Sequence, residues 1–352
     1  MRISWIEGGR EESAGLRAAL LPLDALALVY GAAARANRAL HARGWLRRER
    51  LGCRVLSVGN PGVGGSGKTP ATAFLARELR RRGHRVAVAS RGYKRRGREP
   101  VVVVSDGLRV LATVEEAGDE PVLLAAHAPG VPVLVAERRA LAGQRAIASF
   151  GCDVLILDDG FHHLPLERDL EVLVLDGRFG LGNARVLPRG PLREPLRSLR
   201  LADAIGVVDG PLDARDEERL RRFAPAARRF DARRVPVYLR PLAGGARQPP
   251  TLLAGREVGV LSGIARPQAL RRSVEALGAA VVAERTFRDH HRYTPRDLEG
   301  VAKQAPLWVT TEKDALKIQP AWTGAAPVWV LVIELAVEGA DALLDWLSAR
   351  LR

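Results

Sequence analysis

The chain has 352 residues, 47% hydrophobic and 27% charged, which is enough for two domains with their own cores and too apolar for a disordered protein. The formal net charge is +15, nearly all of it arginine because only five residues are lysine; genome composition produces such a skew, and so does attraction to phosphates, nucleic acid or an acidic membrane. The two cysteines, Cys53 and Cys152, each adjoin an apolar run and lack metal-ligand spacing, which argues against a disulfide framework and for a reducing compartment.

Glu7, Glu11 and Glu12 precede the first apolar stretch, the wrong charge for a secretory signal. Residues 16–34 follow as LRAALLPLDALALVYGAAA, about the length of a bilayer span but interrupted by Arg17, Pro22 and Asp24. On a helix, Leu16, Leu20, Leu23, Ala27, Tyr30 and Ala34 share one face, while Arg17, Asp24, Gly31, Arg35 and Arg38 share another. Arg43, Arg47, Arg48, Arg50 and Arg54 come next, with Trp45 among them. An apolar face, a basic flank and an interfacial Trp suit a helix lying in an anionic membrane surface. A helix packed on the protein's own core, with a solvated basic face, shows the same pattern.

From residue 53 onward, short β-rich runs alternate with helical stretches. Strands are expected at 54–59, 85–90, 101–104, 132–136, 153–158, 171–176 and 204–208, with helices at 69–82 and 137–149. Alternation of this kind implies parallel strands with crossover helices. Val154–Leu157 is apolar at every position, as a strand covered on both faces should be. The Gly-, Pro- and Arg-rich segment 177–198 reads as a long functional loop. A second set follows, with strands at 235–239, 257–261, 280–283, 307–311 and 327–333 and helices at 267–277, 295–303 and 340–350. The expected fold class is therefore α/β: a P-loop NTPase-like parallel-sheet domain over 51–230, a second, smaller α/β domain over 231–352, and an N-terminal amphipathic helix within 1–50. A cleft is expected between the two lobes.

The first strand runs into Gly59-Asn60-Pro61-Gly62-Val63-Gly64-Gly65-Ser66-Gly67-Lys68-Thr69. Gly62 to Thr69 matches G-x-x-x-x-G-K-[ST], the phosphate loop. Glycines let backbone N–H groups turn toward phosphate oxygens, and the helix that starts here adds its positive end. Pro61, Gly62, Val63, Gly64, Gly65, Ser66, Gly67, Lys68 and Thr69 are thus expected to hold a nucleoside triphosphate. Lys68 would reach the β- and γ-phosphates, and Thr69 would bind Mg2+. Such a loop needs an acid at the end of a neighbouring strand, and Asp158 and Asp159 end the apolar run 153–158. Alternation points the two in opposite directions, so that one serves the magnesium shell and the other a neighbouring site. A strand-end turn also favours Asp followed by Gly160.

Further stretches narrow the class of enzyme. In order they are Ser90-Arg91-Gly92-Tyr93, Gly118-Asp119-Glu120-Pro121, Glu137-Arg138-Arg139, Asp158-Asp159-Gly160-Phe161-His162-His163, Leu187-Pro188-Arg189-Gly190-Pro191-Leu192-Arg193-Glu194, Asp289-His290-His291-Arg292-Tyr293 and Thr311-Glu312-Lys313-Asp314-Ala315. In this order and spacing the set resembles the tetraacyldisaccharide 4'-kinase family of lipid A biosynthesis, from about residue 16 to 317. The resemblance implies ATP- and Mg2+-dependent phosphorylation of the 4'-hydroxyl of a tetraacylated, 1-phosphorylated glucosamine disaccharide. It also implies a place at the cytoplasmic face of a Gram-negative inner membrane, with an anionic membrane surface as partner and no nucleic acid. The family pattern usually has Gln where this chain has His162, which leaves the role of that position open.

By that resemblance Asp119 is the general base, His290 orients it, and Lys68 and Asp159 complete the catalytic set. Asp158 stays with Thr69 as the metal-binding pair. Arg91, Arg139, His163 and Arg189 fall to the substrate. Each has a plainer reading: Asp119 before Glu120-Pro121 is a good helix N-cap, His290 an exposed loop histidine, the arginines solvated charge, and Lys313 a structural ion pair. Trp5, Phe161 and Trp308 read as core. A GTPase or metal-insertion factor is the chief alternative, since Thr311-Glu312-Lys313-Asp314 partly resembles a guanine-reading N-K-x-D stretch. A nucleic-acid motor is disfavoured because aromatics make up only 5% and the arginines gather beside the amphipathic helix.

Overall fold

The computed structural model describes residues 14–352, so Trp5, Glu7, Glu11 and Glu12 lie outside the described residues. The described chain opens with α1 (Ala14–Ala42) and then β1 (Arg54–Gly59), α2 (Lys68–Arg81), β2 (Val86–Ser90), β3 (Val102–Ser105), α3 (Val114–Ala117), α4 (Asp119–His127), β4 (Val133–Val135), α5 (Arg139–Phe150), β5 (Val154–Asp158) and β6 (Leu170–Asp176). It continues through β7 (Ala204–Val208), α6 (Ala214–Phe223), β8 (Arg228–Pro241), β9 (Glu257–Ser262), α7 (Pro267–Ala276) and β10 (Ala280–Thr286). The last elements are β11 (Trp308–Thr311), α8 (Glu312–Ala315), β12 (Val328–Val337) and α9 (Ala340–Leu351).

The twelve strands of the described residues join one sheet, in the order β10-β9-β11-β12-β8-β7-β6-β1-β5-β2-β4-β3. The two strand sets on either side of residues 214–234 therefore belong to one continuous sheet. The strand that unites them is β8. Its first residues pair in parallel with β7, and Ala232–Pro241 pairs antiparallel with β12. Apart from this pair and β3 against β4, the ladders are parallel. In the first half the central strands are buried throughout, β1 from Val55 on. Their even and odd side chains enter different cores: Leu56 and Val58 pack with α2, α4 and α9, while Val55, Leu155 and Leu157 pack with α5. The stripe Ala71, Phe74, Leu75 and Leu79 explains why α2 lies flat on the sheet.

Three local expectations change. The helix expected over 295–303 is two short 3-10 turns, because Gly300 takes a left-handed φ of 73° between them. Asp119 is not an N-cap: Gly118, with φ 92°, caps α4 and Asp119 is its first residue. The faces of α1 also differ from the expected pair. Leu20, Ala27, Gly31 and His41 are buried, Asp24 and Arg38 turn inward to ion pairs, and Leu21, Leu26, Leu28 and Val29 are exposed. Two charged groups with partners on the body outweigh the apolar stripe in choosing the face that docks.

Candidate active site

The phosphate loop leaves β1 at Gly59 and enters α2 at Lys68. Its turns require φ of 111° at Gly64 and 92° at Gly67, which side chains resist. Asn60 fixes the start: its Oδ1 accepts from the Gly62 N–H at 2.5 Å and its Nδ2 donates to the Val174 carbonyl at 3.0 Å. The long loop 177–198 is strapped to the other side, Val63 N–H donating to Pro191 O at 2.9 Å and Arg193 N–H to Pro61 O at 2.8 Å. Ser66 Oγ is buried there without a protein partner. This is a preformed anion cradle.

Asp158 and Asp159 sit at the end of β5, the neighbour of β1. Asp158 faces inward, accepting from Thr72 Oγ1 at 3.1 Å and Ser90 Oγ at 3.4 Å. Burial, with Glu120 and Asp159 nearby, pushes its carboxyl up to about 7. Asp159 takes a left-handed φ of 53° and turns the other way, to Lys68 Nζ at 3.5 Å and Arg193 at 3.3 Å. Burial opposes its ionisation, but Lys68 and Arg193 outweigh burial and hold the carboxyl below the usual carboxylate range. The two carboxylates meet different partners, but the left-handed turn at Asp159, one residue past the end of β5, directs them and not the strand alternation that was expected.

The third part brings distant segments together. Asp119, 4% exposed, meets His290 Nδ1 at 3.0 Å through Oδ2 and 3.1 Å through Oδ1. On the far side of the ring, Lys313 Nζ lies 3.2 Å from His290 Nε2 and 3.3 Å from both Glu120 Oε1 and Asp289 Oδ1. An ammonium can only donate, so Nε2 accepts and Nδ1 carries the hydrogen given to Asp119. Lys317 Nζ lies 3.5 Å from Asp119 Oδ2 and from Asp314 Oδ1. Burial raises the cost of charge on Asp119, yet His290, Lys313 and Lys317 prevail and keep its carboxyl below the ordinary range. Glu120 joins this group to the phosphate site, since it pairs with Lys313 and is also felt by Asp158.

Arg91 and Arg139 form a positive cluster beside the two aspartates, with His163 next to it. Arg139 is 5% exposed and donates to the Glu137 carbonyl at 3.0 Å. Burial, then Arg91, brings its guanidinium down to about 10. Burial, then Arg139, Arg168 and Arg91, pushes His163 down to about 4, so its ring is neutral at physiological pH. Arg189 stands apart from this cluster. It is 1% exposed and pairs with Asp24 of α1 at 3.3 Å, so it ties the long loop to the N-terminal helix.

The sequence signature of the tetraacyldisaccharide-1-P 4'-kinase family matches residues 16–352. Tetraacyldisaccharide 4'-kinase of Anaeromyxobacter dehalogenans (strain 2CP-C) is 44% identical over 330 residues, 89% of this chain and 86% of that one. The enzyme of the same name from Syntrophus aciditrophicus is 41% identical over 337 residues, 90% of this chain and 89% of that one. The crystal structure of LpxK from Aquifex aeolicus in complex with ATP superposes with a TM-score of 0.75 at 33% identity, covering 96% of this chain and 100% of that one. This chain belongs to the tetraacyldisaccharide-1-P 4'-kinase family. It is a kinase of lipid A biosynthesis, and the GTPase and metal-insertion alternatives find no support.

Within this kinase, sequence reading passed over several groups that line the site. Lys317 lies one helical turn beyond Lys313, and with only five lysines in the chain its position was a usable signal. Arg266 comes from the second half. It pairs with Asp176 at 2.6 Å, lies over the Phe179 ring at 4.5 Å, and would come within 3.4 Å of a Cβ placed on Gly64. It stands between the phosphate loop and a cavity of about 1080 Å³ at the ends of β6 and β7, lined among others by Asp176, Phe179, Asp209 and Arg234. Nothing local in the sequence marks Arg266 as a neighbour of Gly64.

Proposed function

We propose that this protein transfers the γ-phosphoryl group of ATP to the 4'-hydroxyl of a tetraacylated, 1-phosphorylated glucosamine disaccharide, with Asp119 as the base. The observation that carries this reading is the Asp119–His290 pair, linked through Lys313 and Glu120 to the carboxylate beside the phosphate loop. The 64–67 amides and Lys68 hold the phosphates, the Gly62 and Val63 amides being used to fix the loop itself. The cavity beyond Arg266 has the volume and the mixed aromatic and polar lining of a nucleoside pocket. A hard cation fits Thr69 and Asp158, because Asp158 is a deeply buried carboxylate that burial and two neighbouring acids leave short of positive charge. Bound there, Mg2+ would neutralise phosphate charge.

Asp119 accepts the hydroxyl proton as the acceptor oxygen attacks. His290, with Nδ1–H directed at Asp119, fixes the orientation of that carboxylate. Arg91 and Arg139 supply fixed positive charge for a phosphate, and neutral His163 supplies a hydrogen bond. Arg189 acts at one remove, by holding the loop that carries Arg193. We further take the chain to work as three units, 1–50, 51–230 and 231–352, the last two sharing β8. Incubating the protein with the lipid acceptor and either nucleotide tests the activity: ATP should give a phosphorylated disaccharide and GTP should not. Equal use of GTP would overturn the nucleotide assignment.

The same reading places the enzyme on a membrane surface, at the cytoplasmic face of the inner membrane. By length and composition alone Ala19–Ala42 is long and apolar enough to cross a bilayer. One side of the helix is committed to the protein body, which supports a helix lying in the surface. The outer side shows Leu21 at 63%, Leu28 at 74% and Val29 at 68% exposure, with Trp45 at 75% beyond its end. Replacing Leu21, Leu28 and Val29 together by Gln is expected to weaken binding to anionic vesicles by more than about 100-fold. Folding stability should change by less than about 1.5 kcal/mol, since all three are solvent-facing. Undiminished co-sedimentation with vesicles would show a different anchor.

A further inference from the structure

Arg38 lies near the end of α1 and turns its side chain inward. Its Nε donates to Glu194 Oε2 at 2.7 Å, and an Nη donates to Oε1 at 2.5 Å, a two-pronged pair. The same Nη reaches the Phe161 carbonyl at 3.1 Å, and the guanidinium lies 4.9 Å over the Phe161 ring. Glu194 Oε1 is also 3.1 Å from His162 Nδ1. The other ring nitrogen of His162, Nε2, is 3.0 Å from the carbonyl of Asn60. Asn60 is the residue whose side chain fixes the first turn of the phosphate loop.

These contacts form one unbroken path from the N-terminal helix to the loop. Both nitrogens of His162 face acceptors, so both contacts are hydrogen bonds only when both nitrogens carry hydrogen. Burial disfavours charge on Glu194, but His162 and Arg38 outweigh it and hold its carboxyl below the usual range. Charge-assisted bonds of this kind are short and directional, and they transmit position better than apolar contact does. The family's usual Gln at position 162 keeps a donor.

We infer that Arg38, Glu194 and His162 form a bridge through which α1 sets the position of the phosphate loop, with His162 as a positioning residue for the nucleotide phosphates. Loss of Arg38's hold on Glu194 then lowers nucleotide affinity from a helix that meets the phosphate loop through this path. The inference rests on the kinase reading in taking ATP as the ligand of the loop.

The test is equilibrium binding of ATP with magnesium to the full chain, alongside vesicle binding and turnover. Arg38→Met should weaken ATP binding about tenfold, the effect of one lost charge-assisted hydrogen bond. Its vesicle binding should stay unchanged, since Leu21, Leu28 and Val29 are intact, and its kcat at saturating ATP should stay within about threefold. His162→Ala should lose a similar amount, and His162→Gln, which retains a donor toward Asn60 O, should recover to within about threefold of the unaltered protein. Arg38→Met and His162→Ala combined should be little worse than either alone, as members of one path are not additive. ATP affinity within about twofold of the unaltered protein in Arg38→Met would overturn the bridge. If that variant does not fold, Glu194→Gln carries the same expectation and the same refutation. Failure of the unaltered protein to bind ATP would remove the kinase reading itself, and the bridge with it.

Discussion

Lys68→Ala is expected to lower kcat by at least about 10³-fold while the protein stays folded. Lys68 is the first residue of α2, where the helix end and its own ammonium both address the phosphates. In the structure Nζ lies 3.5 Å from Asp159, so the substitution removes two things together. The γ-phosphoryl loses a point charge, and Asp159 loses the stronger of the two cations that hold it ionised, leaving Arg193. Lys68→Arg should recover little, because a planar fork does not replace a compact ammonium inside a glycine cradle. The measurement is single-turnover transfer to the lipid acceptor, with thermal unfolding as a control. Turnover persisting near the unaltered rate would refute the loop as the phosphate site.

Asp119→Asn should reduce kcat by about 10²- to 10⁴-fold, the range for a lost general base, and leave the KM for ATP nearly unchanged. The split matters because Asp119 also accepts the N–H of Glu120 at 3.0 Å in the first turn of α4. Asparagine can keep that bond, so an unchanged kcat would reduce Asp119 to a helix-end role. The pH dependence follows from the cations around it. Asp119 is held below the ordinary carboxylate range, so it is ionised and competent at neutral pH, and the acid limb of kcat lies below the range of an ordinary aspartate. The same carboxylate adds stability above its unfolded value, and that stability is lost as pH falls through the lowered one. Lys313→Met removes one of the two lysine ammonium groups that favour the Asp119 carboxylate and the donor to His290 Nε2. The acid limb should then move upward, toward neutrality. A limb that stays in place would separate Lys313 from the base.

Which parts of this were readable beforehand follows from how far apart the interacting residues lie. The phosphate loop, the strand before it and the paired aspartates are local patterns, and burial on both sides of the sheet shows directly as apolar runs. The Asp119–His290 contact spans 171 positions and Arg38–Glu194 spans 156. No periodicity encodes such pairings, and the first was expected only through resemblance to a family. Arg38 looked like one of many basic residues flanking an amphipathic stretch. What distinguishes it is a buried carboxylate on another segment. The continuity of the sheet was equally hidden, since the Arg-rich first half of β8, which pairs with β7, did not read as part of the strand expected at 235–239.

That change of partners governs how the two halves can move. Between Val332 and Ile333 the β8–β12 ladder skips Val237, beside Pro236, so the shared ribbon carries a bulge beyond Ala232, the residue at which its partners change. A bulge adds local twist and bends the strand that holds it. The base sits on one half, and its histidine and lysine sit on the other. The halves are therefore joined less like beads on a string than like the two arms of a torsion spring. Any rotation of one half against the other must pass through hydrogen-bonded backbone, and the angle seen is the one that keeps imidazole against carboxylate.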